Sequence, residues 1–510
     1  MLAKVLSAAV LGVEAYLVEV EVDLSQGLPG FEVVGLPDAA VKEAKERVRA
    51  AIRNSNCHSP RGRITVNLAP ADLRKEGSGF DLPMALGLLI SDEQLPPHAA
   101  LGSLFIGELS LDGGLRPVPG TLPMALAARD SGIRRMFVPP ENVNEALLVD
   151  QLEVYPVDHL FTLIEHLRGV NHIPPASLGH GQVTATLGER DLDFADIRGQ
   201  HLAKRALEVA AAGGHNLLMI GPPGSGKTLL ARQLPSILPS MTVEEALEVT
   251  KIYSVSGMLR GKQGLVTTRP FCAPHHSISY AGLIGGGRIP KPGQVSLAHN
   301  GVLFLDELPE FPKRIIEQLR QPLEDGVVQI SRAQASLKYP SRFMLIAAMN
   351  PCPCGYDGDS QRECTCSEGE IRRYLARVSG PMLDRIDLQL PVPRVPYEEM
   401  VGPRDGDTSA TIRQRVEAGR ERQLHRFRGK RITCNARMNT RLLRQTVTLQ
   451  PAAEQLVKAA FRQLQLSARA YERILKVART IADLADSDQV QEQHVAEALS
   501  YRAYDRRGLS

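Results

Sequence analysis

The chain has 510 residues, 43% of them apolar and 23% charged, with a net charge of +3. That composition excludes a disordered or fibrous protein, and the length exceeds what one hydrophobic core organises, so about three domains are expected. Charge is uneven: residues 411–510 hold 20 Lys and Arg against 10 Asp and Glu, an excess that suits either a polyanionic partner or a solvated helical surface.

The N-terminal MLAKVLSAAVLGVEAYL has the look of a secretory leader, but Glu14 interrupts it and AYLVEVEVD continues in strict two-residue alternation. A half-buried strand is therefore expected from Ala15 to Asp23, with others at Arg63–Leu68 and Leu104–Glu108. Asp38 is placed to cap a helix through AAVKEAKERVRAAI, a run of strong helix formers. These elements fall in a first segment, 1–170. Residues 171–190, NHIPPASLGHGQVTATLGER, are rich in Pro, Gly and small polar residues and read as a linker.

From 191 to 395 short apolar strands alternate with helices, the pattern of a parallel sheet covered by helices. NLLMIGPPGSGKTLLARQL places G-x-x-x-x-G-K-T between a strand and a helix, the context that makes the pattern a phosphate-binding loop. In Gly221, Pro222, Pro223, Gly224, Ser225, Gly226, Lys227 and Thr228, the glycines let the backbone curl so that N–H groups face phosphate oxygens. Lys227 would neutralise the terminal phosphates of ATP and Thr228 would ligate Mg2+. GVLFLDEL then predicts a buried strand, Val302–Leu305, presenting Asp306 to the magnesium shell and Glu307 to the attacking water. By itself an acidic pair at a strand end marks only an exit to solvent, and the phosphate loop gives this one its meaning.

Four of the seven cysteines lie in NPCPCGYDGDSQRECTC. Cys352, Cys354, Cys364 and Cys366 offer a tetrahedral thiolate set to a structural zinc, the alternative being free thiols on a loop. Cys272, His275 and His276 read as a packed polar turn rather than a second metal site. After PVPRVPYEEMVGPRDGD, residues 396–510 are mostly helical. In SARAYERILKVARTIADL, helical spacing predicts a buried face of Tyr471, Ile474, Ala478 and Ile481, with Arg469, Arg473 and Lys476 off it. No uncharged apolar stretch reaches eighteen residues, so no membrane helix is expected, and the odd, clustered cysteines point away from a secreted disulfide framework; a cytoplasmic protein is the expectation.

VGLPDAAVKEAKERV, PFCAPHHSISYAGLIGGGRIPKPGQVSLAHNGVLFLDELPEF, AAMNPCPCG and SGPMLDRIDL are long matching strings, and through them the whole chain resembles the ComM/YifB family of magnesium chelatase-related AAA+ ATPases. The resemblance implies an α/β fold: a P-loop AAA+ parallel-sheet core, preceded by an α+β Lon-protease-like domain and followed by a helical C-terminal lid. It also implies Asn350 as a polar sensor, Arg385 as an arginine finger reaching a neighbouring subunit's ATP, and Arg469 as a second sensor. A finger acting in trans requires a ring, expected to be a hexamer. GGGRIPKPGQVSLAH resembles the branch's helix-2 insert. LEDGVVQISRAQASLKYPSRF resembles its pre-sensor hairpin, where Arg332 and Lys338 would meet a DNA backbone. KEGSGFDLPMA and GTLPMALAA resemble the loop and helix that carry a Lon serine and lysine, but Gly79 stands at or beside the serine position and Met124 at the lysine position. Ser78 without a base is not a nucleophile, so proteolysis is not expected. The implied function is branch migration of branched or single-stranded DNA in recombination during natural transformation. A magnesium chelatase motor subunit and a protein-remodelling ATPase are the rival readings.

Overall fold

The computed structural model describes residues 2–177, 184–185, 193–259, 264–287, 290–331, 336–359, 361–401, 406–430 and 432–502. The chain forms two compact units. One comprises 1–186, 243–267 and 331–339; the other comprises 187–242, 268–330 and 340–510.

The first unit is built on a seven-stranded mixed sheet. Leu2–Leu11 pairs antiparallel with Glu14–Ser25, in register from Leu2 opposite Asp23 to Leu11 opposite Glu14. The apolar run that resembled a leader is thus the inner partner of the alternating strand, with Val18, Val20 and Val22 fully buried. Arg63–Ala69 and Gly30–Val34 extend one side, and Ser103–Phe105, Arg135–Val138 and Glu153–Pro156 the other. The expected strand at Leu104–Glu108 is broken: Gly107 has φ +159, and separate ladders form at Ser103–Phe105 and Glu108–Leu109. The helix Ala39–Asn54 starts where the cap predicts, the Asp38 carboxylate accepting from Val41 N at 2.8 Å. Within the region read as a linker, Thr184–Ala185 forms a short parallel ladder with Leu265–Val266. Met124 is buried with Leu122, Ala125 and Val138, and Ser78 donates to the Glu108 carboxylate.

The second unit holds a five-stranded sheet, all parallel, in the order Phe271–Cys272, Val302–Leu305, Met344–Met349, Leu217–Ile220, Leu388–Pro391. Val302–Leu305, Met344–Met349 and Leu217–Ile220 are buried along their whole length, as strands covered on both faces must be. The C-terminal helices share this core: Ala206, Leu217, Ile346, Val416, Val457, Ala478 and Val495 belong to one apolar cluster.

The helix Ala468–Leu484 buries Ile474, Ala478 and Ile481 and leaves Arg469 exposed, as its spacing predicts, but departs from that two-faced reading in two respects. Tyr471 is only half-buried, and from Val477 to Asp483 every residue is buried, including Arg479 and the Asp483 carboxylate. Arg479 and Arg426 both pair with Asp483, and Asn435 Nδ2 donates to it at 2.8 Å, so charge enters this interior only as a satisfied network.

Candidate nucleotide site

The sheet is parallel, so its strands deliver their following loops to one edge. At that edge Leu217–Ile220 runs into Gly221, Val302–Leu305 into Asp306, and Met344–Met349 into Asn350. Three sequence-predicted groups meet there. Gly224 and Gly226 have φ +78 and +90, left-handed values that let the loop turn around an anion before the helix Lys227–Gln233.

Lys227 is buried and donates to Gly221 O at 2.7 Å and Pro222 O at 2.9 Å, with Asn350 Oδ1 3.4 Å away. Burial pulls its ammonium down to about 8, against the opposing pull of Asp306 and Glu307. Thr228 Oγ1 donates to Asp306 Oδ2 at 2.6 Å. One hard oxygen pair therefore faces the loop, the donor chemistry that a partly hydrated Mg2+ takes. Glu307 N donates to Asp306 Oδ1 at 3.0 Å, and Glu307 itself sits at φ +52 with its side chain exposed. His276 Nδ1 approaches Glu307 Oε2 at 3.6 Å, and its ring lies tilted against that of His275 at 4.0 Å between centroids, while His275 bonds Ser277. The turn is polar but not packed as expected, with His275 exposed and His276 half-buried, and its contact with Glu307 has no forerunner in the sequence reading. Cys272 is buried in the neighbouring strand, its thiol pushed up to about 12 by burial. Gln200 was also missed: its Nε2 donates to Ser225 O at 3.2 Å and Pro393 O at 2.6 Å, pinning the glycine-rich loop.

Arg385 and Arg469 do not join this group. Leu217–Ile220 and Leu388–Pro391 pair residue for residue, Leu217 with Leu388 and Ile220 with Pro391. Arg385 precedes this pair and Gly221 follows it, so the length of a four-residue strand, about 13 Å, separates them. Arg385 is 5% exposed and turned onto Glu324, with Nη1 donating to Pro381 O at 2.6 Å and Nε left without a hydrogen-bond partner. It lines a cleft with Glu324, Arg469, Glu472, Arg473 and Lys476. Beneath the cleft Asp387 is buried, and although burial opposes its charge, Arg473 and His215 hold it well below the usual carboxylate range. Asn216 locks this end of the sheet: its N–H donates to Asp387 Oδ2 at 3.1 Å, Nδ2 to Arg385 O at 2.9 Å, and Oδ1 accepts from Leu345 N at 2.9 Å.

The four clustered cysteines do converge. Their sulfurs all lie within 4.8 Å of one another. Lys338 is exposed on the strand Ser336–Pro340, while Arg332 lies outside the described residues.

Three family models cover these parts: magnesium chelatase subunit ChlI at 193–400, subunit ChlI of Mg-chelatase at 20–142, and the ChlI C-terminal region at 406–502. Competence protein ComM of Haemophilus influenzae is 48% identical over 510 residues, covering 99% of this chain and 98% of its own. The protein YifB of Salmonella typhimurium is 46% identical over 508 residues, at 99% and 98% coverage. A magnesium-chelatase 67 kDa subunit of Chlorobaculum tepidum is 30% identical over 204 residues, 39% of this chain and 26% of that subunit.

Proposed function

This chain belongs to the ComM/YifB family of magnesium chelatase-related AAA+ proteins, and on that premise we propose that it is a ring-forming ATPase moving along DNA, a branch-migration motor of recombination in natural transformation. The observation that carries the reading is the division of the ATP machinery between opposite edges of one sheet. Lys227, Thr228, Asp306, Glu307 and Asn350 stand at one edge, and Arg385 and Arg469 open at the other. A single copy cannot close both around one nucleotide. In a ring, each copy offers its phosphate loop to one neighbour and its arginine cleft to the other, and a hexamer is the proposed closure.

In this reading Gly221–Thr228 cradles the phosphates, and Lys227 leaves the loop carbonyls for the terminal oxygens. Thr228 and Asp306 would hold Mg2+, which would supply charge neutralisation to the phosphate oxygens. Glu307, steadied by His276, orients the water, and Asn350 positions the terminal phosphate between Lys227 and the acidic pair. The neighbouring copy's arginines stabilise the charge that develops on transfer. Release from Glu324 is then the step by which Arg385 is recruited.

DNA is the proposed track because one of the relatives alike over the whole length is named a competence protein, and because residues 411–510 carry 20 basic against 10 acidic side chains. Lys338 and Arg332 are assigned to the hairpin that meets the backbone, residues 1–170 to a catalytically inactive Lon-protease-like domain, and 396–510 to the lid. The test compares wild type with Lys227→Ala on a labelled four-way junction. Wild type resolves the junction with ATP and the variant does not. Hydrolysis by wild type with neither binding nor resolution of the junction refutes the DNA assignment and leaves protein remodelling.

A further inference from the structure

The cysteine cluster begins two residues beyond Asn350, yet nothing in the nucleotide chemistry calls for sulfur. Cys352 Sγ lies 3.3 Å from Cys354 Sγ and 3.6 Å from Cys364 Sγ, and Cys354 Sγ lies 3.6 Å from Cys364 Sγ. Four thiolates around one zinc, with Zn–S bonds of about 2.3 Å, stand about 3.8 Å apart, so three of the sulfurs are close to the spacing of a single tetrahedral ion and the fourth, Cys366 Sγ, lies within 4.8 Å of each of them. Backbone N–H groups already point at three of them: Gly355 N and Asp357 N at Cys352 Sγ (3.2 and 3.3 Å), Cys354 N at Cys366 Sγ (3.4 Å), and Cys366 N at Cys364 Sγ (3.4 Å). Such donors disperse the negative charge of a tetrathiolate centre. Arg362 lies 4.2 Å over the ring of Tyr356, and Arg394 Nε donates to Asp359 Oδ2 at 2.9 Å, so cations surround the same loop.

The loop is also wedged against the phosphate site. Gly355, between the two cysteine pairs, has φ +89, and a Cβ there would meet Pro223 Cδ at 2.6 Å and Cγ at 2.8 Å. Pro223 is the third residue of the phosphate loop. On the far side Arg394 continues from Val392, whose carbonyl oxygen would lie 2.0 Å from a Cβ on Gly221. The loop carrying the cysteines therefore touches the phosphate loop through Gly355 and Pro223. Through the Asp359–Arg394 pair it also grips the segment that backs Gly221.

We propose that Cys352, Cys354, Cys364 and Cys366 bind one Zn2+ per chain, and that this ion is a buttress of the nucleotide site, holding Gly355 against Pro223 so that the phosphate loop keeps its anion-binding curvature. Soft thiolates with no oxygen or imidazole ligand select zinc or iron over magnesium, and a closed four-ligand set suits a structural ion with no open position. The nucleotide part rests on the reading of Gly221–Thr228 as a phosphate loop.

The test uses the full-length chain, untagged and purified without chelator. Elemental analysis is expected to find about one zinc per chain, and cobalt exchanged into the site is expected to show the visible bands of a tetrahedral tetrathiolate. Binding of a fluorescent ATP analogue is then measured on wild type, on wild type stripped of metal by a thiol-reactive mercurial and reduced, on the same sample with zinc restored, and on Cys364→Ser/Cys366→Ser. Metal loss weakens the analogue by about 5-fold or more, and zinc restores it without any change of sequence. Absence of metal, iron in place of zinc, or six-coordinate cobalt overturns the zinc site. Zinc bound with unchanged analogue affinity after removal overturns the buttress. Failure of metal-replete wild type to bind the analogue refutes the phosphate-loop reading and with it the buttress, while the metal count and the cobalt spectrum still decide the zinc site.

Discussion

Raising the pH from 7 to 9 discharges Lys227 in the nucleotide-free protein, because burial holds its ammonium at about 8. At pH 7 about nine chains in ten carry the charge, and at pH 9 about one in ten. Phosphate oxygens replace the carbonyls of Gly221 and Pro222 when ATP binds, which raises the lysine's pKa back above this range, so binding takes up a proton. The dissociation constant is therefore expected to rise about tenfold between pH 7 and 9, with about half a proton taken up per nucleotide at pH 8. Titration calorimetry in two buffers of different ionisation enthalpy reads the proton directly. Lys227→Arg, which stays charged throughout, flattens the pH dependence if it binds at all. A wild-type constant that holds steady across the range, with a heat independent of buffer, refutes the argument. The same depression acts on folding with its own sign. A lysine whose folded pKa lies below its unfolded 10.5 costs stability below about pH 8, and the cost fades as pH rises from there to 10.5.

Arg385→Ala is expected to cut ATP turnover by about 10^3 while leaving analogue binding intact. Mixing it with Lys227→Ala restores part of the turnover, because mixed rings contain seams with both partners whole, and a mixture as dead as its components argues against the split site. Asp306→Asn is expected to slow hydrolysis by about 10^2 or more and to abolish its response to added Mg2+, both read in a phosphate-release assay. Asp483→Ala removes the partner of Arg479, which is 1% exposed, and leaves that cation buried; a loss of about 3–5 kcal/mol is expected in denaturant unfolding of the C-terminal helices.

What could be read in the sequence was what is written locally. The strand, glycine-rich loop and helix around Gly221–Thr228, the strand Val302–Leu305 and the Asp38 cap each depend on residues within a few positions of one another, and the structure has these elements where they are expected. Long-range pairing left weaker traces. His276 and Glu307 are brought together by adjacent parallel strands, and no periodicity links a histidine after one strand to a carboxylate after the next. The break at Gly107 was legible in principle, since a glycine inside a short strand often marks a bend.

The helix Ala468–Leu484 keeps its predicted apolar face of Ile474, Ala478 and Ile481, but its second half shows where the amphipathic rule stops at the centre of a domain. From Val477 to Asp483 every residue is buried, so charge cannot mark the outside there, and Arg479 and Asp483 are buried as partners four residues apart. An i,i+4 pair of opposite sign is normally read as a solvated face. Here the signal that separates the cases lies elsewhere in the chain: Arg426 and Asn435 complete the network, and neither is visible from within the helix. Arg385 fails to be legible in the opposite direction. Its motif suggests an exposed finger, yet the residue is folded onto Glu324 from a helix 61 residues earlier. On the proposed reading of Arg385 as a finger, pairing with a carboxylate keeps its charge compensated until a competing phosphate arrives. Glu324→Gln should then free Arg385 and raise turnover of the assembled ring at limiting ATP, an effect that a purely structural ion pair at the same place would reverse.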